Sequence, residues 1–169
     1  MGSLQVYGRA DAKLLALAKD ILVQRPSRSR QDSLGGEISA QEFARHAEDE
    51  IAHYRRQLPE FKAKVIVRDD MFSGLMCSGG NLLLGYETKI PVRRIDALLH
   101  HEIGTHLLTY YNGRQEQLQQ LHSGFAGYDA LQEGLAVLSE YLVGGLSIPR
   151  LRLLAARVVA SDLLVEGLS

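Results

Sequence analysis

With 169 residues, 46% hydrophobic and 23% charged, the chain has the size and balance of one soluble globular domain with a sizeable core. Its 19 basic and 20 acidic residues leave a formal net charge of -1, so nothing global points to nucleic acid or an anionic membrane surface. A single cysteine, Cys77, excludes an internal disulfide, no apolar run approaches a membrane span and no secretory signal is visible, so the expected address is cytoplasmic.

Residues 11–24 read as a helix with Leu14, Leu15, Ala18, Ile21 and Leu22 on its apolar face. Residues 26–36, rich in Ser, Arg and Gly, read as a polar connection. Ser39-Ala40-Gln41-Glu42 is a capping box that opens a second helix, to about Leu58, with Phe43, Ala47, Ile51, Tyr54 and Leu58 inward. His46, Glu50 and His53 share another face of it, a spacing that suits a metal. Nothing apolar surrounds them, however, and a solvated helix face explains them better. Residues 63–68, with Val65, Ile66 and Val67, and residues 82–86 read as short strands. The glycine-punctuated stretches Ser73-Gly74 and Ser78-Gly79-Gly80-Asn81 between them predict a hairpin or small sheet. Gly79-Gly80 lacks the lysine and spacing of a phosphate loop.

Pro91 suits the first turn of a long helix ending near Tyr111, where Asn112-Gly113 is a stop signal. Its apolar stripe, Val92, Ile95, Leu98 and Leu99, runs into His100-His101-Glu102-Ile103-Gly104-Thr105-His106. Continued at helical spacing, the stripe puts Glu102, Ile103 and His106 inward. An unpartnered buried ionisable group costs several kcal/mol or loses its charge, and a bound metal would supply the partner. In an HExxH metal site the histidines are four apart and share a face. Here they are five apart, which on a regular helix separates them by about 140°. A single-turn π-bulge closes i to i+5, so a π-type irregularity is predicted between His101 and His106, with Gly104 giving the backbone freedom for it. In the rival geometry the helix stays regular, and Glu102 and His106 are ligands on one face. His100 points elsewhere on any helix and reads as structural or as a support behind a ligand.

Residues 114–121 read as a short helical piece, and Asp129 as the cap of a helix over residues 130–143 that carries Gln132-Glu133-Gly134-Leu135-Ala136. Glu133 and Glu140 are seven apart and share a face. Glu133 is the better third ligand, because Gly134 beside it would allow close helix approach. Glu140 could accept a hydrogen bond from a ligand histidine, or be a plain surface charge. Gly144-Gly145 ends this helix. Ser147 and Pro149 open a last one, to about Val165, with Leu151, Leu154, Ala155, Val158 and Leu163 inward. The fold expected from these elements is α+β and mostly helical, with a small sheet or hairpin packed on the histidine-bearing helix.

His101-Glu102-Ile103-Gly104-Thr105-His106 followed by Gln132-Glu133-Gly134-Leu135-Ala136 resembles the family named for its QEGLA motif. That family includes bacterial flavohemoglobin expression-modulating proteins and relatives of the microtubule-associated tyrosine carboxypeptidase, which removes the C-terminal tyrosine of α-tubulin. The resemblance runs from about Ser39 to Val165 and includes Ser73-Gly74-Leu75-Met76, Ser78-Gly79-Gly80-Asn81 and Gly127-Tyr128-Asp129. It implies a zincin-like metallopeptidase core and a single catalytic domain over 1–169. It also implies Zn2+ bound by His101, His106 and Glu133, with Glu102 as the base. Family members look longer, which would make this chain a fragment or trimmed domain. Glu116-Gln117 stands where the family pattern has Gln-Pro.

The expected chemistry is hydrolysis by a metal-activated water, with Glu102 moving the proton and the C-terminus of a peptide or protein as substrate. Candidates for stabilising the developing oxyanion are Tyr110, Tyr111, Tyr128, His122 and Arg114. Lys89, Arg93, Arg94 and Arg114 are candidates for holding a terminal carboxylate. Leu82, Leu83 and Leu84 are the expected strand for pairing with an extended substrate. Two other readings stand beside it. One is a metal-bound but inactive regulatory or scaffolding module, and the other is a cysteine hydrolase using Cys77.

Overall fold

The computed structural model describes residues 9–25, 35–71 and 74–167, with the side chains of residues 122 and 123 left undescribed. It falls into two compact units, Gly35–Gly145 and a second made from the described parts of Met1–Leu34 and Leu146–Ser169. The fold is α+β, dominated by helix, with two small sheets.

Helix α1 is Ala12–Gln24, capped by Asp11, whose carboxylate accepts the Leu14 N–H at 2.8 Å. Strand β1 (Glu37–Ser39) leads into α2 (Ala40–Gln57) through the full capping box: Ser39 accepts from the Glu42 N–H while the Glu42 side chain accepts from the Ser39 N–H. These bonds hold the Glu42 carboxyl below its usual range. Then come β2 (Val65–Arg68), β3 (Leu75–Ser78), β4 (Asn81–Gly85) and β5 (Lys89–Pro91). A 3-10 turn at Val92–Arg94 starts the central helical run: α3 (Ile95–His101), a π-helical segment (Glu102–Leu107) and α4 (Leu108–Gln115). Short α5 (Gln120–Ser123) and long α6 (Tyr128–Leu142) complete the larger unit. Helix α7 (Ile148–Val165) packs along α1 in the second unit, where Arg152 donates to the Leu22 carbonyl at 2.6 Å and Arg9 pairs with buried Asp162 at 2.9 Å.

Of the hairpin or small sheet expected from the sequence, the structure has a small sheet, with one strand more than the two that were read. The order is β2-β4-β3, with β2 parallel and β3 antiparallel to β4. The hairpin is β3–β4, closed by Gly79 and Gly80 at φ of 56° and 77°, the left-handed pair that suits a two-residue hairpin turn. Strand β3 has no β-branched residue and lies between glycines, so its sequence reads as turn. β1 and β5, three residues each, form a separate antiparallel pair below the length at which alternation is legible. The stop expected at Asn112-Gly113 is overrun, since α4 continues to Gln115. Asp129 does not cap α6; the capping position is Gly127 in the left-handed region, with Asp129 inside the first turn.

Phe43, Phe61, Leu82, Leu84, Ile90, Ile103 and Leu107 are fully buried in one cluster. Each such side chain contributes about 1.5–3 kcal/mol on leaving water. Ile103 and Leu107 belong to the π-helical segment, so the helix carrying the histidines is anchored by the core itself. Arg55 adds a polar tie, donating to the Phe61 and Ala63 carbonyls and fixing the loop between α2 and β2. Among the described residues no helix is long and apolar enough to cross a membrane.

Candidate metal centre

The π-helical segment falls where the five-residue spacing predicts it. The Leu108 N–H reaches back five residues to the Ile103 carbonyl. Two threonines add side-chain bonds to carbonyls along this run: Thr105 donates to the His100 carbonyl at 3.0 Å and Thr109 to the Thr105 carbonyl at 2.6 Å. Gly104 serves a purpose other than the expected one. Its φ is not positive, and a Cβ there would sit 3.1 Å from the Tyr54 hydroxyl of α2. The glycine makes room for a neighbouring helix.

The wider turn swings both imidazoles to one side, with ring centroids 5.0 Å apart. Across from them, Glu133 of α6 places Oε1 3.5 Å from His106 Nε2. Among the described residues, His101, His106 and Glu133 are the set of three metal-ligating side chains that gathers, with one donor atom from each within 4.8 Å of the others. Two imidazole nitrogens and a carboxylate oxygen fit zinc, and three protein donors leave a position open for water. The regular-helix alternative, with Glu102 as ligand, loses its geometry. His46, Glu50 and His53 do not gather; His53 Nε2 is instead 2.8 Å from Gln57 Nε2. Gly134 is not a close-approach residue, since a Cβ there would meet nothing.

The three donors stand in a cavity of about 450 Å³. Its walls include β3, the Gly79-Gly80 turn, Tyr110, Tyr128 and Gln132. Glu102 is buried beside the donors, with Oε1 4.0 Å from His101 Nε2. Its other oxygen, Oε2, accepts from the Cys77 thiol at 3.3 Å. Burial, and then the Glu102 carboxylate, pushes the Cys77 thiol well above its ordinary pKa. A nucleophilic cysteine needs the opposite shift, so the cysteine-hydrolase reading has no support in this geometry.

The expected substrate strand is displaced. Leu82, Leu83 and Leu84 lie in β4, which is bonded on both edges, by β2 and by β3. Among the described residues, β3 is an outer strand of this sheet, and it lines the cavity. Of the oxyanion candidates, Tyr110 and Tyr128 line the cavity. Burial raises the Tyr128 pKa, so its hydroxyl stays a donor. Tyr111 is turned away and donates to the Gly80 carbonyl at 3.1 Å. The His122 side chain lies outside the described ones. Arg114 stands behind Tyr110, 2.9 Å from its hydroxyl and 5.6 Å over its ring. Among the described residues no lysine or arginine lines the cavity.

Two relationships were invisible in sequence. Cys77 touches Glu102. Arg94, read as a carboxylate receptor, is committed elsewhere: it bonds Glu140 Oε2 at 2.8 Å and the Gly145 carbonyl at 2.7 Å. Glu140 is completely buried, not a surface charge, and its Oε1 lies 2.8 Å from His101 Nδ1. The end of α6 is held hard against α3, where a Cβ on Gly145 would come within 2.3 Å of the Ala97 Cβ. Gly145→Ala is therefore expected to lower stability by about 1–3 kcal/mol, read as a shift in urea midpoint at unchanged slope. Wild-type stability in that variant would mean the two helices are free to part.

Over residues 1–169 the sequence matches the family described as microtubule-associated tyrosine carboxypeptidase. Neither the curated proteins nor the solved structures offer a match to it. The family match spans the whole sequence, including the helix that carries both histidines and the helix that carries Glu133: the chain belongs to the microtubule-associated tyrosine carboxypeptidase family.

Proposed function

We propose that this chain is a zinc-dependent peptidase of zincin-like construction that acts at the C-terminus of a peptide or protein. The observation that carries this reading is the convergence of His101, His106 and Glu133 beside a buried Glu102 on the cavity wall. Zinc bound there would supply Lewis acidity toward a carbonyl and lower the pKa of a water ligand from about 16 to near 7.

The rest falls to the protein. The Cys77 thiol lies 3.3 Å from both Glu102 Oε2 and the Glu102 carbonyl, while Oε1, on the His101 side, is placed to take a proton from water and deliver it to the leaving amine. Tyr110 and Tyr128 line the cavity, and each keeps a hydroxyl hydrogen to offer the carbonyl oxygen as it gains charge. An extended peptide can add to the open edge of β3, its backbone pairing along the strand toward Glu102. Of the four cations considered for a terminal carboxylate, Arg114 is joined to a cavity residue, Tyr110.

The test is a pair of peptide libraries, one with free C-termini including tyrosine and one amidated, offered to zinc-loaded protein. Release of the last residue from the free set alone is expected. Equal cleavage of both sets would overturn the C-terminal part of the proposal. Cleavage of neither by fully loaded protein would leave a metal-bound regulatory or scaffolding module in its place.

A further inference from the structure

We propose that Arg94, Glu140 and His101 act as one positioning unit, in which Arg94 orients Glu140 and Glu140 fixes which nitrogen of His101 is offered to a metal. The inference rests on the metal-site reading above and extends it inward by two residues.

Three observations meet. Glu140 is completely buried, yet both its oxygens are engaged: Oε2 with Arg94 at 2.8 Å and Oε1 near His101 Nδ1 at 2.8 Å. Arg94 is itself mostly buried and spends a second bond on the Gly145 carbonyl. His101 Nδ1 is buried, and although Glu140 is at hydrogen-bonding distance, the ring is not turned to align an N–H with it. The distance is the more telling of the two facts. Paired with the Arg94 guanidinium, Glu140 is held as a carboxylate, which only accepts, so its oxygen would be repelled at 2.8 Å by a bare ring nitrogen. Nδ1 must carry the hydrogen, and the soft χ2 torsion of histidine lets a small rotation aim it. In a neutral imidazole the lone pair then belongs to Nε2, the nitrogen on the Glu102 side.

Arg94 gives the unit its rigidity. It leaves the 3-10 turn before α3 and crosses to α6, where one guanidinium nitrogen meets both the Glu140 carboxylate and the Gly145 carbonyl, just past the end of the helix. A buried carboxylate without such a partner would be costly and free to turn away from His101. The same grip sets where α6 lies against α3, and α6 also carries Glu133. Arg94 thus acts on the site through two residues without touching it.

The experiment measures zinc affinity by chelator competition in wild-type protein, Glu140→Gln, Glu140→Ala and Arg94→Met. Each metal-free protein is melted alongside, and the His101 tautomer is read from ring nitrogen–proton NMR correlations at a pH where the ring is neutral. Zinc should bind about 10–100-fold more weakly in Glu140→Ala, the usual cost of losing the partner behind a ligand histidine. Glu140→Gln should recover part of that loss, because its amide oxygen still accepts the ring N–H. Metal-free wild-type protein should show His101 protonated at Nδ1. A wild-type Nε2–H tautomer overturns the proposal, as does unchanged zinc affinity in folded Glu140→Ala. If that variant does not fold, the wild-type tautomer decides. Should wild-type protein take up no zinc, the metal-site reading fails, while the tautomer still tests whether Glu140 governs His101.

Discussion

Glu102→Gln is expected to keep zinc and lose hydrolysis, with kcat falling by roughly 10²–10⁴-fold, the range that a positioned general base supplies. The expectation comes from placement. Glu102 follows His101 directly, but the π-helical turn sends its carboxylate beside the donor set without joining it. An amide has nearly the same shape and cannot take a proton from water. Folding should survive the change, since Glu102 is buried and its Cys77 contact can be kept by the amide oxygen. The measurement is zinc content by mass spectrometry of the native protein, beside turnover on a cleaved peptide. Unchanged turnover would remove Glu102 from the mechanism. Loss of zinc together with turnover would make it a ligand, and would restore the geometry in which it and His106 share a face.

The second large effect concerns the metal itself. His106→Ala removes one of three donors and should weaken zinc by more than the roughly 10–100-fold that losing a partner behind a ligand costs. Stability gives an independent reading. A ligand that binds only the folded chain stabilises it by about 2.7 kcal/mol at a hundred times its Kd. For a chain of this size that is a rise of about 5–11 °C in Tm. Wild-type protein should show this rise on adding zinc and lose it to a chelator. His106→Ala should show neither at the same zinc concentration. A zinc-induced rise of equal size in the variant would mean that the ion sits somewhere other than among His101, His106 and Glu133.

The legible parts of this molecule are those in which the signal and its cause lie within one helical turn. The capping box at Ser39 and the start at Ser147 with Pro149 stand as read, because each rests on a bond between residues three apart. The five-residue spacing of His101 and His106 predicts the π-helical segment for the same reason: the constraint is local and angular. Parts that depend on a distant partner were read differently or missed. Gly104 looks like a flexible residue and is a gap for Tyr54. Gly134 looks like a close-approach residue and faces open space. Leu82, Leu83 and Leu84 look like a strand offered to substrate and form the middle of a sheet whose outer edge is β3.

The sequence by itself determined which chemical groups are available and how His101, Glu102 and His106 are spaced along one helix, because helix geometry follows from the backbone alone. Only the tertiary structure decided what meets them: Glu133 across the cavity, Cys77 on Glu102, and Arg94 with Glu140 behind His101. Arg94 and Glu140 are 46 positions apart, and no periodicity spans that separation. They meet because Gly145 lets the end of α6 close on Ala97, a consequence of packing to which every residue of both helices contributes.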